Sequence, residues 1–394
     1  MALRNNTWKL NQWYDQDVAG NVEYSGEKQL WVWGQNERGQ LGQNSQGNPS
    51  NVSSPVQIPG SWSFVTPKLT HAFDRLGILG VKTDGTLWGW GGNGAGMLGL
   101  NSQSSSPDEQ GFVSSPTQIP GTTWTWGATG YRVSMFNKTD GTTWIWGNGG
   151  DGMLGLNATV SYSSPVQLTG SWANGRDKFG SGHNVMLAIN GSGELMAWGE
   201  NTYGNLGASL GHGTKRSSPI QIASGTWSTV CDGGYEEMGA VNDNGELWTW
   251  GRNQYGGLGQ DNTTDYSSPK QVGSDTTWHK CSLTENGILA SKTDGTLWSS
   301  GRNEFGELGH NNTTSYSSPR QVGSDTTWDI NNFQIGMAVR AMKTDGTLWA
   351  WGRQDYGQFG DNSTTSRSSP VQIPGTDWHM VDAMYRTTFA IKQL

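Results

Sequence analysis

The sequence predicts an all-β chain: a seven-bladed β-propeller of four-stranded blades. Three recurring marks predict it. A tryptophan-rich strand closes on Gly34, Gly91, Gly147, Gly199, Gly251, Gly301 and Gly352, at intervals of 50 to 57 residues. A Ser-Ser-Pro-x-Gln phrase follows each time, with prolines at Pro55, Pro116, Pro165, Pro219, Pro269, Pro319 and Pro370. One more tryptophan follows each proline: Trp62, Trp124, Trp172, Trp227, Trp278, Trp328 and Trp378. Together the marks absorb 19 of the 22 tryptophans. Independent marks with one shared period define a repeat array, and they override the two or three domains that 394 residues would otherwise suggest.

Each unit reads as four short strands. Lys292-Thr293-Asp294-Gly295-Thr296-Leu297-Trp298 places Asp-Gly between β-prone runs, the signal of a hairpin with a type I′ turn. Leu-Trp-x-Trp-Gly is the strand after that turn, and residues 287–292 form the strand before it. The Ser-Ser-Pro-x-Gln strand needs its proline at a start or an edge, because proline cannot donate to a ladder. The stretch around the third tryptophan is the fourth strand. One such sheet cannot bury both faces, but stacking between neighbours can. The tryptophans Trp33, Trp90, Trp146, Trp198, Trp250 and Trp351 are therefore expected to be structural.

The last unit stops before an Asp-Gly hairpin, and the first begins with Gln29-Leu30-Trp31-Val32-Trp33-Gly34, the strand the last one lacks. The N- and C-terminal strands should thus share one blade and remove two open edges. The propeller spans 28–394. Residues 1–27, with Trp8, Trp13 and Tyr14, are an N-terminal extension or anchor, offering a route into a larger complex. Two insertions, at 67–76 and 101–113, break the symmetry.

Charge is −8, from 25 Lys+Arg and 33 Asp+Glu, which argues against a nucleic-acid partner. With 59 glycines and few aliphatics, the chain is not a helical bundle, and its aromatic bulk argues against disorder. No apolar run is long enough for a membrane span, and no signal peptide is visible. Cys231 and Cys281 have no metal-ligand spacing and read as small buried strand residues.

Chemistry is scarce. His71, His183, His212, His279, His310 and His379 form no metal or catalytic pattern. Glycine-rich runs such as 91–96 recur in every unit with no helix after them, so they are not phosphate loops. The expectation is no enzyme, no metal and no cofactor.

The phrases Trp33-Gly34-Gln35-Asn36-Glu37-Arg38-Gly39-Gln40-Leu41-Gly42 and Trp250-Gly251-Arg252-Asn253-Gln254-Tyr255-Gly256-Gly257-Leu258-Gly259 resemble the regulator of chromosome condensation repeat. The resemblance covers about 28–394 and implies a seven-bladed propeller. It also implies guanine-nucleotide exchange on a nuclear GTPase at chromatin, but the chain has no basic tail and no matching exchange residue. The plant ultraviolet-B photoreceptor of this family carries Gly-Trp-Arg-His-Thr motifs, which are absent here. In composition, the repeats resemble proteins encoded by marine phages. Kelch repeats have a similar period, but their paired glycines have no aligned counterpart here.

Two features point to binding. Arg252, Arg302 and Arg353 occupy one position in three consecutive units, so three guanidiniums should form an arc on one face. They suit a carboxylate, phosphate or acidic partner, unless Glu304, Glu307 or Asp355 pairs them locally. Tyr162, Tyr266 and Tyr316 precede three of the Ser-Ser-Pro phrases and should line a rim among Asn and Thr, suited to a glycan or a protein. Asn, Ser and Thr also satisfy their own backbone in loops, which is the plainer reading. Departures from the pattern are Met196, Ser299-Ser300 and Phe359. Losing an indole at 300 would cost about 3–5 kcal/mol unless a neighbour or water fills the space. The function expected is a non-enzymatic interaction scaffold, in particular a phage virion or tail component binding a host surface or another structural protein. The alternative is an intracellular regulator such as a guanine-nucleotide exchange factor for a small GTPase.

Overall fold

The computed structural model describes residues 27–46, 51–67, 77–102, 111–231, 234–284, 286–384 and 386–393. Nearly all of the expected anchor, and most of both insertions, lie outside these residues.

The described residues form seven antiparallel blades of four strands, ordered from the axis outward as they occur in the chain. Blade 5 is representative, with strands Trp278–Thr284, Gly287–Lys292, Leu297–Gly301 and Tyr316–Gln321. Blades 2, 3, 4 and 6 begin at Trp124, Phe179, Trp227 and Trp328. The long strand Val52–Pro67 serves two blades. Its residues 62–67 open blade 1 against Gly77–Lys82, and its earlier residues form the outer strand of blade 7 against Lys28–Gly34. Blade 7 takes its inner pair from Trp378–Met384 and Thr387–Gln393. Lys28–Gly34 pairs with Thr387–Gln393 rung for rung, from Lys28↔Gln393 to Gly34↔Thr387. The ring therefore closes with two strands from each end of the propeller in one blade.

The hairpins form where Asp-Gly places them, but the turn differs from the type I′ expectation. Gly85 has φ +78° while Asp84 does not have a positive φ, and Gly85 N–H donates to Lys82 O at 2.9 Å. This is a three-residue loop with a glycine bulge. Asp84 Oδ1 accepts from the Thr86 amide at 3.0 Å, and the Thr86 hydroxyl accepts from Trp88 Nε1 at 2.8 Å. Aspartate, threonine and tryptophan at alternate positions thus lock the turn to the strand.

The six expected structural tryptophans are fully buried. Each indole N–H donates to a carbonyl of the preceding unit's loop, as in Trp90→Gln40 O at 2.9 Å and Trp250→Asn205 O at 3.0 Å. The Ser-Ser-Pro strand is the outer edge, where proline costs no ladder bond. Its free carbonyls are taken by the neighbouring blade: Asp261 N–H donates to Ser317 O at 2.9 Å, and Asn362 N–H to Ser53 O at 3.0 Å across the seam. In blade 5, Ser300 replaces the indole. A Cβ on Gly259 would meet the Pro319 ring at 3.1 Å, where one on Gly309 meets the Trp351 indole at 2.8 Å. At this junction the Pro319 ring and the Ser300 hydroxyl are the groups nearest Gly259, where the others present an indole.

Cys231 and Cys281, read as separate strand residues, are joined. Cys231 directly follows the inner strand of blade 4 and Cys281 lies within the inner strand of blade 5; their Cα atoms are 4.9 Å apart, and they form a disulfide between blades. Cys231 stands opposite Gly239 and Cys281 opposite Ala290, so the two are one position out of step, and they meet because adjacent blades converge near the axis.

Residues 173–178 have no counterpart in the other units and cross the axis from blade 3. Arg176 donates to Asn332 Oδ1 at 2.7 Å and Val381 O at 3.2 Å on the far side. Asp177 pairs with Lys280 Nζ at 2.7 Å. Burial works against ionisation of Asp177, but Lys280 and Arg176 outweigh it and hold the carboxyl below its usual range.

Candidate protein-interaction face

Turns between inner and second strands, and loops between third and outer strands, share one face. The repeat Trp-Gly-x-Asn-x-x-Gly-x-Leu-Gly builds those loops. Asn253 Oδ1 accepts from the Leu258 amide at 3.0 Å, and Asn303 Oδ1 from the Leu308 amide at 2.9 Å, so this asparagine holds the loop.

Arg252, Arg302 and Arg353 stand on this face at one position of blades 4, 5 and 6. Each lies over an aromatic ring of the preceding blade's loop: Arg252 over Tyr203 at 5.0 Å, Arg302 over Tyr255 at 5.5 Å and Arg353 over Phe305 at 4.7 Å. Arg386 continues the series in blade 7, at 4.1 Å from the Tyr356 ring. Four consecutive blade junctions are thus spanned by cation–π contacts, each of order 0.5–1 kcal/mol when exposed.

Each guanidinium also has a carboxylate. Arg252 pairs with Glu236 at 2.9 Å, Arg302 with Glu304, and Arg353 with Asp355 at 2.7 Å. Burial opposes the charge of Arg252, and Glu236 overcomes it, so that its pKa rises; the hydrogen bond to Glu304 raises that of Arg302. The three side chains keep 26–31% of their surface in solvent. Burial pushes the Glu307 carboxyl up, and its Oε2 accepts from the Phe305 amide at 2.7 Å.

The tyrosines do not form a common open rim. Tyr162, Tyr266 and Tyr316 begin outer strands of blades 2, 4 and 5 and are half-buried. Tyr266 Oη accepts from Asn262 at 3.0 Å, and Tyr316 Oη from Asn312 at 3.3 Å, while Arg320 covers the Tyr316 ring at 3.7 Å. Tyr162 packs with the hydrophobic clusters on either side.

A group unremarked in the sequence lies nearer the axis. Tyr131, His183 and Tyr235 occupy the same turn of blades 2, 3 and 4, with centroids 3.9 Å and 4.2 Å apart in series. Their signal was legible: a glycine precedes an aromatic ring in Gly130-Tyr131, Gly182-His183 and Gly234-Tyr235. Glu236, beside Tyr235, is the partner of Arg252, so the stack and the arginine series meet in blade 4.

Among the described residues, no group of three or more His, Cys, Asp or Glu is placed to hold a metal. No helix of the described residues is long and apolar enough to cross a membrane.

A blade ring with inter-blade loop locks and a mixed aromatic and charged face defines a repeat propeller. The family model of the regulator of chromosome condensation (RCC1) repeat matches residues 27–71, 244–282, 294–330 and 345–390. Four stretches of the chain thus match the RCC1 repeat. It is 26% identical over 241 residues to the Ultraviolet-B receptor UVR8 of Arabidopsis thaliana, covering 60% of this chain and 52% of that protein. It is 28% identical over 197 residues to the human E3 ubiquitin-protein ligase HERC2, covering 48% of this chain and 4% of that protein. The chain therefore spans about half or less of these relatives. Its fold is similar to Prp20p from Saccharomyces cerevisiae, with TM-score 0.77 and 18% identity, over 94% of this chain and 92% of that one. Human WBSCR16 is similar at TM-score 0.75 and 18% identity, over 93% and 99%.

Proposed function

We propose that the chain is a non-enzymatic scaffold that binds a protein partner through the face carrying Arg252, Arg302 and Arg353. The observation behind this reading is the series of rings and arginines over blades 2 to 7, in which Arg252, Arg302 and Arg353 keep 26–31% of their side chains in solvent. Aromatic and arginine side chains are the residues that anchor protein interfaces. The crystal structure of Prp20p is reported with that protein's binding to Gsp1p and histones, which supports a protein over a glycan as partner. The half-buried tyrosines give a glycan little open ring surface.

Proteins that co-purify with the tagged chain should be identified and then titrated against the R252A/R302A/R353A variant. At least tenfold weaker binding, with the fold intact, is expected; unchanged binding would overturn the choice of face. Stimulated nucleotide release from a small GTPase would instead favour the exchange-factor reading.

A phage virion or tail component binding a host surface is the more specific form of this reading. It rests on composition, and the eukaryotic relatives reported above do not support it. Tail or capsid genes beside this one would favour it; signalling genes would count against it. Residues 1–27 act as the anchor on this reading, and a deletion that leaves the assembly intact would refute that role.

A further inference from the structure

On the opposite face, where second strands turn into third strands, the blades share another device. Lys138 lies 4.5 Å from the Trp124 ring and 4.4 Å from the Trp144 ring. Lys292 sits 4.7 Å from Trp278 and 3.9 Å from Trp298. Lys82 and Lys343 are held in the same way in blades 1 and 6, and Lys392 lies over Trp378 in blade 7. An ammonium over two indole faces is a favourable arrangement.

Blade 4 has the rings without the lysine. Trp227 and Trp248 stand 6.2 Å apart at 70°, against 6.2 Å and 77° for Trp278 and Trp298 around Lys292. The lysine position is Asn242, and the threonine position is Glu246. Two local changes follow. The turn loses a cation; Asp243 and Glu246 add two carboxylates while Asn244 replaces the sibling aspartate, a net gain of one. Trp248 Nε1, buried, has no partner, whereas Trp298 Nε1 donates to Thr296 Oγ1 at 2.8 Å. Asn242 Nδ2 donates to Glu246 Oε2 at 2.6 Å, and the same exchange occurs at Asn190 and Glu194 in blade 3. There, however, Met196 replaces the second ring, so blade 4 alone combines the acidic turn with two tryptophans.

We propose that the Trp227–Trp248 notch of blade 4 binds an alkylammonium group, supplied as the lysine side chain of a partner protein. The rings keep the spacing they have around an internal lysine, the turn that carries Asp243 and Glu246 supplies the opposite charge, and Trp248, half-buried, presents the ring to which the sibling lysines lie nearer. The site lies away from the arginine face and does not depend on the reading above.

The test is an NMR titration of indole-15N-labelled protein with Nα-acetyl-lysine methylamide. A saturable shift of the Trp227 and Trp248 signals in the millimolar range is expected. The isosteric Nα-acetyl-norleucine methylamide should give none. The Asn242→Lys/Glu246→Thr variant, which restores the lysine and threonine of the sibling blades, should bind at least fivefold more weakly while remaining folded. R252A/R302A/R353A should bind as the parent does. No saturable shift in the parent, or equal binding by Asn242→Lys/Glu246→Thr, would overturn the proposal. Butylammonium binding as tightly as a lysine-bearing peptide would overturn the assignment to a partner's lysine.

Discussion

Trp33 donates its indole N–H to the carbonyl of Gln358 at 2.9 Å, across 325 positions of sequence. The same carbonyl accepts from Thr388 Oγ1 at 2.7 Å and from the buried Arg340 at 3.2 Å. A Cβ on Gly360 would come within 2.7 Å of the Trp33 Nε1, so glycine is required beside the ring. The seam is therefore built as tightly as any other blade junction. Trp33→Ala should cost about 3–5 kcal/mol, the range for a buried aromatic. Trp126, 36% exposed, is the control, and Trp126→Ala should cost well under half as much. Urea unfolding of both variants measures the difference; equal losses would mean that the seam carries no special share of stability.

Asp275 and Asp325 should control acid stability. Burial opposes their ionisation, but the ammoniums of Lys292 and Lys343 and the hydroxyls and amides of Thr277 and Thr327 hold each carboxyl at about 2. Because the folded value lies below the ordinary one, the contribution is present at neutral pH. It fades as pH falls from about 4 through 2. Both side chains are about one-third exposed, so the contribution is discounted to about 1 kcal/mol each. The Asp275→Asn/Asp325→Asn variant should melt lower than the parent at pH 7, and the gap should close by pH 2. A gap that widens on acidification would contradict the assignment.

The disulfide between Cys231 and Cys281 ties blades 4 and 5 together beside the axis. Its removal should lower stability by about 2–4 kcal/mol. Urea midpoints with and without reductant measure this, and alkylation of the unfolded, unreduced chain should modify neither cysteine. Modification of both would show that the thiols are free.

The Asp177–Lys280 pair is buried at Lys280 and joins blade 3 to blade 5. Asp177→Asn should destabilise by about 3–5 kcal/mol, because it leaves a buried ammonium without its counter-charge. Adding Lys280→Met should restore much of the loss. A double-mutant cycle with no coupling would mean that the two side chains do not depend on each other.

The blade number, the shared blade and the buried tryptophans could be read from sequence because each follows from spacing along one chain. The pairings across blades could not. Arg302 and Tyr255 belong to different units, and only the rotation between blades brings guanidinium to ring. The cysteines looked unrelated for the same reason: they are one register position out of step in their blades, and only the convergence of neighbouring blades near the axis brings them together. Residues 173–178 had no sibling to compare, so nothing in their composition marked them as the piece that spans the centre. The tyrosines read as rim residues of a loop, but they begin the outer strands, and their half-burial depends on contacts such as Asn262 with Tyr266 and Arg320 over Tyr316.

Lys28 and Gln393 face each other on the rung where every other blade carries its hairpin bend. The polypeptide is in effect a loop of seven links opened at one link, and the opening sits at one of seven interchangeable places. A rearranged gene that joined Gln393 to Lys28 by a short bend and began after Asp294-Gly295 would encode the same ring. Whatever is fused at the opening would then emerge from blade 5, so an appendage could be moved around the rim without redesigning the blades.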